Sequence, residues 1–155
     1  MGALSAPVRV RLADDDDLEQ LAALERRCFD RPWPAAMLHD ELQLAGSRMF
    51  LAGAGTLAEG YAILRLLPGA GELLRIGVDP ERRRHGLGAA LLAAVAEEVR
   101  RAGAGELLLE ARADNREALS FYRRSGLRET GRRRRYYEDG VDAILWTLDL
   151  HAAAG

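Results

Sequence analysis

The chain has 155 residues, 48% of them hydrophobic and 30% charged, with a formal net charge of −2. This is the profile of a soluble globular protein of one domain, residues 1–155, with a core of ordinary size. It argues against a polyanion-binding molecule as a whole and, since no apolar run approaches the roughly 18 residues of a bilayer span, against a membrane-spanning one.

Val8 to Leu12 reads as a first strand. Asp14 to Asp17 is an acidic run suited to the positive end of a helix dipole, read as a solvated start to a helix ending near Cys28. Leu18, Leu21, Ala22 and Leu24 give that helix its apolar face. Arg31-Pro32-Trp33-Pro34 breaks it, and a second helix is expected near Ala35 to Leu44. Three strands follow, Arg48 to Ala52, Glu59 to Leu67 and Glu72 to Val78, separated by turns rich in Gly and Pro. The clearest helix runs from about Gly86 to Ala102, with Leu87, Leu91, Leu92, Val95 and Val99 on one face and Gly103 ending it. Glu106 to Glu110 is a short strand. A helix over Asn115 to Arg124 is expected next, with Asp114 as N-cap and Glu117 completing a capping box. Two strands close the chain, Leu127 to Tyr137 and Asp142 to Leu150, joined through an Asp139-Gly140 turn. The fold class is α/β, with a mixed sheet carrying helices on its faces.

The segment Val78-Asp79-Pro80-Glu81-Arg82-Arg83-Arg84-His85-Gly86-Leu87-Gly88-Ala89 joins a strand to the strongest helix. Glycines there remove side chains just where the helix leaves backbone N–H groups unpaired, and three arginines stand beside them. That combination suits a phosphate or diphosphate, although a solvated turn would use the same residues. A P-loop is excluded because the chain has no lysine, and a dinucleotide fingerprint needs a third glycine.

Arg83-Arg84-His85-Gly86-Leu87-Gly88 resembles the R/Q-x-x-G-x-G/A signature of the GNAT acetyltransferases. The resemblance implies a GNAT fold with a splayed central sheet and acetyl-CoA as cosubstrate. It implies diphosphate binding by the amides of about Arg84, His85, Gly86, Leu87, Gly88 and Ala89, with Arg83 also at the cofactor. Ile76-Gly77-Val78 would align the pantetheine arm.

Glu110 follows the apolar run Leu107-Leu108-Leu109, where partial desolvation would suit a general base. A strand-end Glu paired with Arg112 would look the same. Tyr122, on the following helix, reads equally as a core residue. Together Leu109-Glu110-Ala111-Arg112, Asn115, Tyr122 and Arg123-Arg124-Ser125-Gly126-Leu127 resemble the RimI branch of the GNAT family, bacterial N-terminal acetyltransferases of a small-subunit ribosomal protein. That resemblance implies Glu110 as base, Tyr122 as acid to the leaving thiolate, and Asn115 at the cofactor. Cys28-Phe29-Asp30-Arg31-Pro32-Trp33-Pro34 and Arg132 to Tyr137 are similar to the branch's peptide-binding stretches, which implies substrate contacts from Trp33, Arg75, Tyr136 and Tyr137. Arg75 departs from the small or uncharged residue usual there, and Gly77 from the usual Ala.

The single Cys28 excludes an internal disulfide and reads as a small apolar residue. His39, His85 and His151 form no ligand set, so no metal is expected. Neither a basic, apolar leader nor a myristoylation signal is read at the start, Ala6 standing where Ser or Thr is required, so a cytoplasmic location is expected. The expected partner is a ribosomal protein N-terminus, with no direct nucleic-acid or membrane binding, in a monomer or weak dimer. Three alternatives stay open: a GNAT enzyme of a small amine, an inactive CoA sensor, and an RNA- or ribosome-binding module using Arg132 to Arg135 with the two tyrosines.

Overall fold

A computed structural model describes residues 7–151; the reading of Met1-Gly2 and Ala6 lies outside them. The elements are β1 (Arg9–Leu12), α1 (Leu18–Cys28), α2 (Ala35–Gln43), β2 (Ser47–Gly53), β3 (Gly60–Leu67), β4 (Ala70–Val78), α3 (Leu87–Arg101), β5 (Glu106–Arg112), α4 (Arg116–Arg124), β6 (Arg128–Arg133) and β7 (Ala143–Asp149). Their order is the one read from the sequence. No helix among the described residues is long and apolar enough to cross a membrane.

The strands form one sheet in the order β1-β2-β3-β4-β5-β7-β6. Among the described residues only β4 and β5 pair in parallel. The apolar stripe of α3 (Leu87, Leu91, Leu92, Val95, Ala96, Val99) is buried with Phe50, Ala62, Leu64 and Leu73 of the sheet. Each fully buried Leu, Val or Phe among them contributes about 1.5–3 kcal/mol of transfer free energy. The same core takes Tyr122 of α4 and Trp146 of β7. On the opposite face, Leu21 and Leu24 of α1 and Leu38 of α2 pack on Met49, Leu51, Tyr61 and Ile63.

The parallel pairing is short. It runs from Ala70↔Glu106 to Leu73↔Leu109 and stops. Beyond it β4 stays paired to β3 as far as Val78↔Gly60, and β5 to β7 as far as Arg112↔Ala143. The cause lies in β4: Leu73 faces Leu64 and Arg75 faces Ile63, so Leu74 is an extra residue. A bulge of this kind bends its strand and sharpens the local twist. It turns the Leu74–Val78 end of β4 away from β5 and leaves one edge of each strand open.

Several local expectations need correction. Asp17 is buried, not solvated, and makes a two-pronged pair with Arg11 at 2.6 and 2.8 Å. It accepts the Asp14 amide while Asp14 caps the turn ahead of α1, so the capping box lies here. The cap of α4 is Asn115, whose Oδ1 accepts from the Ala118 amide, rather than Asp114; Asp114 is drawn to Arg112. The strand expected to run to Tyr137 ends at Arg133, because Arg135 takes a left-handed φ of 49° and its amide donates to Asp142. Strand β5 runs two residues past Glu110, which is therefore not a strand end.

The Arg11 hydrogen bonds hold the Asp17 carboxyl well below its ordinary value of 3.8, at about 2. A lowered carboxyl stabilises the fold above its ordinary pKa, and that contribution is lost as pH falls through the folded value. Asp17→Asn is expected to cost about 1–2 kcal/mol at pH 7. In urea unfolding, the gap between variant and parent should close as the pH is lowered from about 4 towards 2.

Candidate active site

The turn after β4 has backbone geometry that suits an anion. Arg84 and Gly86 both adopt left-handed backbone, with φ of 69° and 81°. Gly86 is the N-cap of α3, and no side chain caps the helix. The first bond that closes the helix is from the Ala90 amide to the Gly86 carbonyl, at 3.0 Å. The amides of Leu87, Gly88 and Ala89 therefore have no acceptor within the helix. A Cβ on Gly86 would meet nothing within 4 Å, so the helix start is open beside that residue. Gly88 serves a different purpose, because a Cβ there would stand 3.3 Å from the Phe121 ring of α4. These residues fit a diphosphate. Arg84 and His85 are exposed beside it. The Arg83 guanidinium is already engaged, with the Val78 carbonyl at 3.3 Å and Glu117 at 3.8 Å.

The cradle stands at one end of the gap between β4 and β5. Ile76, Gly77 and Val78 line the β4 side, each paired only with β3. Gly77 has a local reason: a Cβ there would lie 2.9 Å from the Tyr61 ring and 3.1 Å from the Cys28 sulfur. Cys28 is half-buried, and burial pushes its thiol up to about 11.

On the β5 side Glu110 keeps 30% of its side-chain surface and pairs with Arg133 of β6 at 3.1 Å. The carboxylate is thus partly covered, and the alternative pairing with Arg112 is not formed. That arginine is held between Asp114 and Asp139 at 3.0 and 2.6 Å. Tyr122 is buried, its ring against Phe121 and Trp146. Burial, with Tyr137 nearby, pushes its hydroxyl up to about 12. Tyr137 in turn is raised by burial and by the charge of Glu110, so its ring lies within electrostatic reach of both. Asn115 spends its oxygen on the α4 cap, which leaves its amide nitrogen to donate.

Two loops flank the gap on the α1–α2 face. One, residues 29–34, carries Trp33; the other, residues 134–142, carries Tyr136 and Tyr137. Tyr136 is half exposed and meets Tyr137 edge-on at 5.2 Å. Arg31 and Glu138 join the loops by an exposed ion pair at 3.3 Å. Arg75 does not offer a free guanidinium to a substrate, contrary to the sequence expectation. It donates to the wholly buried Glu25 at 2.5 and 3.2 Å and lies over the Phe29 ring at 3.9 Å. Sequence reasoning missed Glu25 and Tyr61, whose hydroxyl donates to it. The available signal was a carboxylate on the apolar stripe of α1, beside Leu21 and Leu24.

The acetyltransferase (GNAT) family profile matches residues 18–127. The N-alpha-acetyltransferase RimI of Mycobacterium tuberculosis is 36% identical, over 96% of this chain and 97% of that one. The chain belongs to the GNAT acetyltransferase family. This GNAT chain is also 33% identical to the [ribosomal protein bS18]-alanine N-acetyltransferase of Escherichia coli K12, covering 86% of the chain and 92% of the relative. The crystal structure of the E. coli ribosomal-protein-S18-alanine N-acetyltransferase superposes with a TM-score of 0.85 at 30% identity, covering 93% of this chain and 94% of that one. The chain is thus an acetyl-CoA-dependent N-acetyltransferase with the mixed sheet of that family.

Gly86→Ala should isolate the cradle from the rest of the molecule. The added methyl meets no neighbour, so the fold loses only the left-handed strain of about 1–2 kcal/mol. Binding of acetyl-CoA should weaken by about tenfold as the amides are re-aimed, read by calorimetry alongside a melting curve.

Proposed function

We propose that the enzyme transfers the acetyl group of acetyl-CoA to the N-terminal α-amine of a protein, an N-terminal alanine of a small-subunit ribosomal protein, in the cytoplasm where ribosomes are made. The observation that carries this reading is the gap itself. One open strand edge, Leu74–Val78, faces a strand bearing Glu110, with an anion cradle at one end and two aromatic loops on the other face. A thioester can lie along the edge while an extended peptide chain enters between the loops. The named relatives, of which one is an alanine N-acetyltransferase of bS18, support the acceptor.

In the proposed reaction both substrates are held together, and their placement supplies much of the rate. The neutral amine nitrogen attacks the thioester carbonyl carbon, and a C–N bond forms. A backbone N–H of the open β4 edge, near Val78, polarises the carbonyl oxygen. Glu110 takes the proton released by nitrogen, directly or through one water. Arg133 orients the carboxylate as it waits. The C–S bond breaks and Tyr122 gives its proton to sulfur. A phenol raised to about 12 keeps that proton throughout the working pH range. The products are an N-acetyl peptide and the free thiol of CoA. Trp33, Tyr136 and Tyr137 are the acceptor contacts, and Asn115 donates to the cofactor.

The deciding experiment offers the purified enzyme and acetyl-CoA a peptide beginning with alanine, in competition with an amino acid, a polyamine and an aminoglycoside. Mass spectrometry should find the acetyl group on the peptide α-amine. Acetylation confined to the small amines would reject the peptide reading. Glu110→Gln is expected to lower kcat by about 10²–10³ while leaving acetyl-CoA affinity in place. Equal kcat for variant and parent between about pH 6 and 9 would remove Glu110 from the chemistry. Tyr122→Phe should lower kcat by about 10²-fold, and the parent should show no alkaline loss of activity from this phenol below about pH 10.

A further inference from the structure

Glu25 has no exposed surface and no part in the proposed chemistry. A buried carboxylate is costly unless donors surround it. Its donors come from three separate places: the Tyr61 hydroxyl of β3, the Arg75 guanidinium of β4, and the Trp33 backbone amide of the 29–34 loop at 2.8 Å. Arg75 then goes further. Its Nη2 also donates to the Arg31 carbonyl at 3.1 Å, and its guanidinium lies 3.9 Å from the Phe29 ring centre and 5.2 Å from that of Trp33. A single side chain therefore touches Phe29, Arg31 and Trp33. It grows from the strand position next to Ile76, where the open edge carries the thioester in the reading above.

Among the described residues, the ion pair at the outer side of the same loop joins Arg31 to Glu138, whose side chains are 80% and 91% exposed. An ion pair so exposed contributes little and is screened by salt. The Glu25–Arg75 pair, with side-chain exposures of 0% and 19%, is shielded from that screening. The position of the loop is thus set from inside.

We infer that Arg75 is a positioning residue for the acceptor: through Glu25 it clamps the 29–34 loop to β4 and so sets peptide affinity without touching the reacting atoms. The inference rests on the reading that a peptide enters beside this loop. Arg replaced by Lys keeps the charge but loses the fork and the stacking. Replacing both partners, Glu25→Gln with Arg75→Met, removes the clamp without leaving a buried charge alone.

The test measures both substrates' KM, kcat, and hydrogen exchange at the Trp33 amide, for the parent, Arg75→Lys and the double variant. The peptide KM should rise roughly tenfold in the double variant and less in Arg75→Lys, because a displaced contact far from the chemistry acts through placement. The acetyl-CoA KM should hold, kcat at saturation should stay within about twofold, and the Trp33 amide should exchange faster. An unchanged peptide KM overturns the inference, as does an equal rise in both KM values. If the double variant fails to fold, Arg75→Lys alone decides by the same criteria. If the parent acetylates no peptide, the proposed function fails on its own, and unaltered Trp33 exchange in Arg75→Lys still overturns the clamp.

Discussion

The molecule turns on an interruption of hydrogen bonding. Strand β4 bonds to β5 for four residue pairs, Ala70↔Glu106 to Leu73↔Leu109, and then leaves it. Unpaired backbone groups inside a protein are costly, so a ladder that stops must have a reason and a substitute partner. The reason is the extra residue Leu74. The substitute, in the proposed function, is the amide-bearing arm of the cosubstrate, which completes the missing edge. Everything else in the fold stabilises that parting: α3 holds one face of the sheet, α1 and α2 the other, and the outer pairings of β4 and β5 keep both strands extended.

Charge is handled entirely through arginine, since all 22 basic residues apart from histidine are arginine. The planar fork suits partners that must be held in direction as well as in place. Arg11 grips both oxygens of Asp17 to fix the start of α1. Arg112 stands between Asp114 and Asp139 and over the Tyr137 ring, which ties the α4 cap region to the second loop. Arg133 reaches across to Glu110. The cationic run 132–135 is therefore divided between structural pairs and solvent, and does not form one continuous patch: Arg132 is bound to Asp142, and only Arg134 and Arg135 continue beyond the strand.

Local patterns carried most of the fold. The apolar stripe of α3, the glycine turn before it and the order of strands are short-range signals, and the structure repeats them. The glycines at 86 and 88 were legible as a pair, but not that they act differently, one by opening space and the other by admitting Phe121. What was not legible depends on distant partners. Glu25 and Arg75 lie fifty positions apart, and nothing near either residue announces the other. The bulge at Leu74 exists only in the register of β3 against β4. Glu110 reads as a strand end because the apolar run stops there, yet the ladder with β7 continues through Arg112. The displaced cap of α4 follows the same rule: Asp114 is taken by Arg112, and Asn115 is left to do the work.

The turn before α3 takes left-handed backbone at Arg84 and Gly86. In the proposed function it receives a diphosphate on backbone amides that no helical carbonyl claims. The same diphosphate is carried by the cosubstrate before the reaction and by the spent thiol after it. A grip on that shared group cannot tell the two apart, and it lowers the energy of both alike. Discrimination between fuel and ash falls to the far end of the molecule, at the acetyl group, while departure of the spent carrier works against the full strength of the cradle. In the proposed reaction, exit of the spent carrier weighs on turnover together with the chemistry at the reacting carbon.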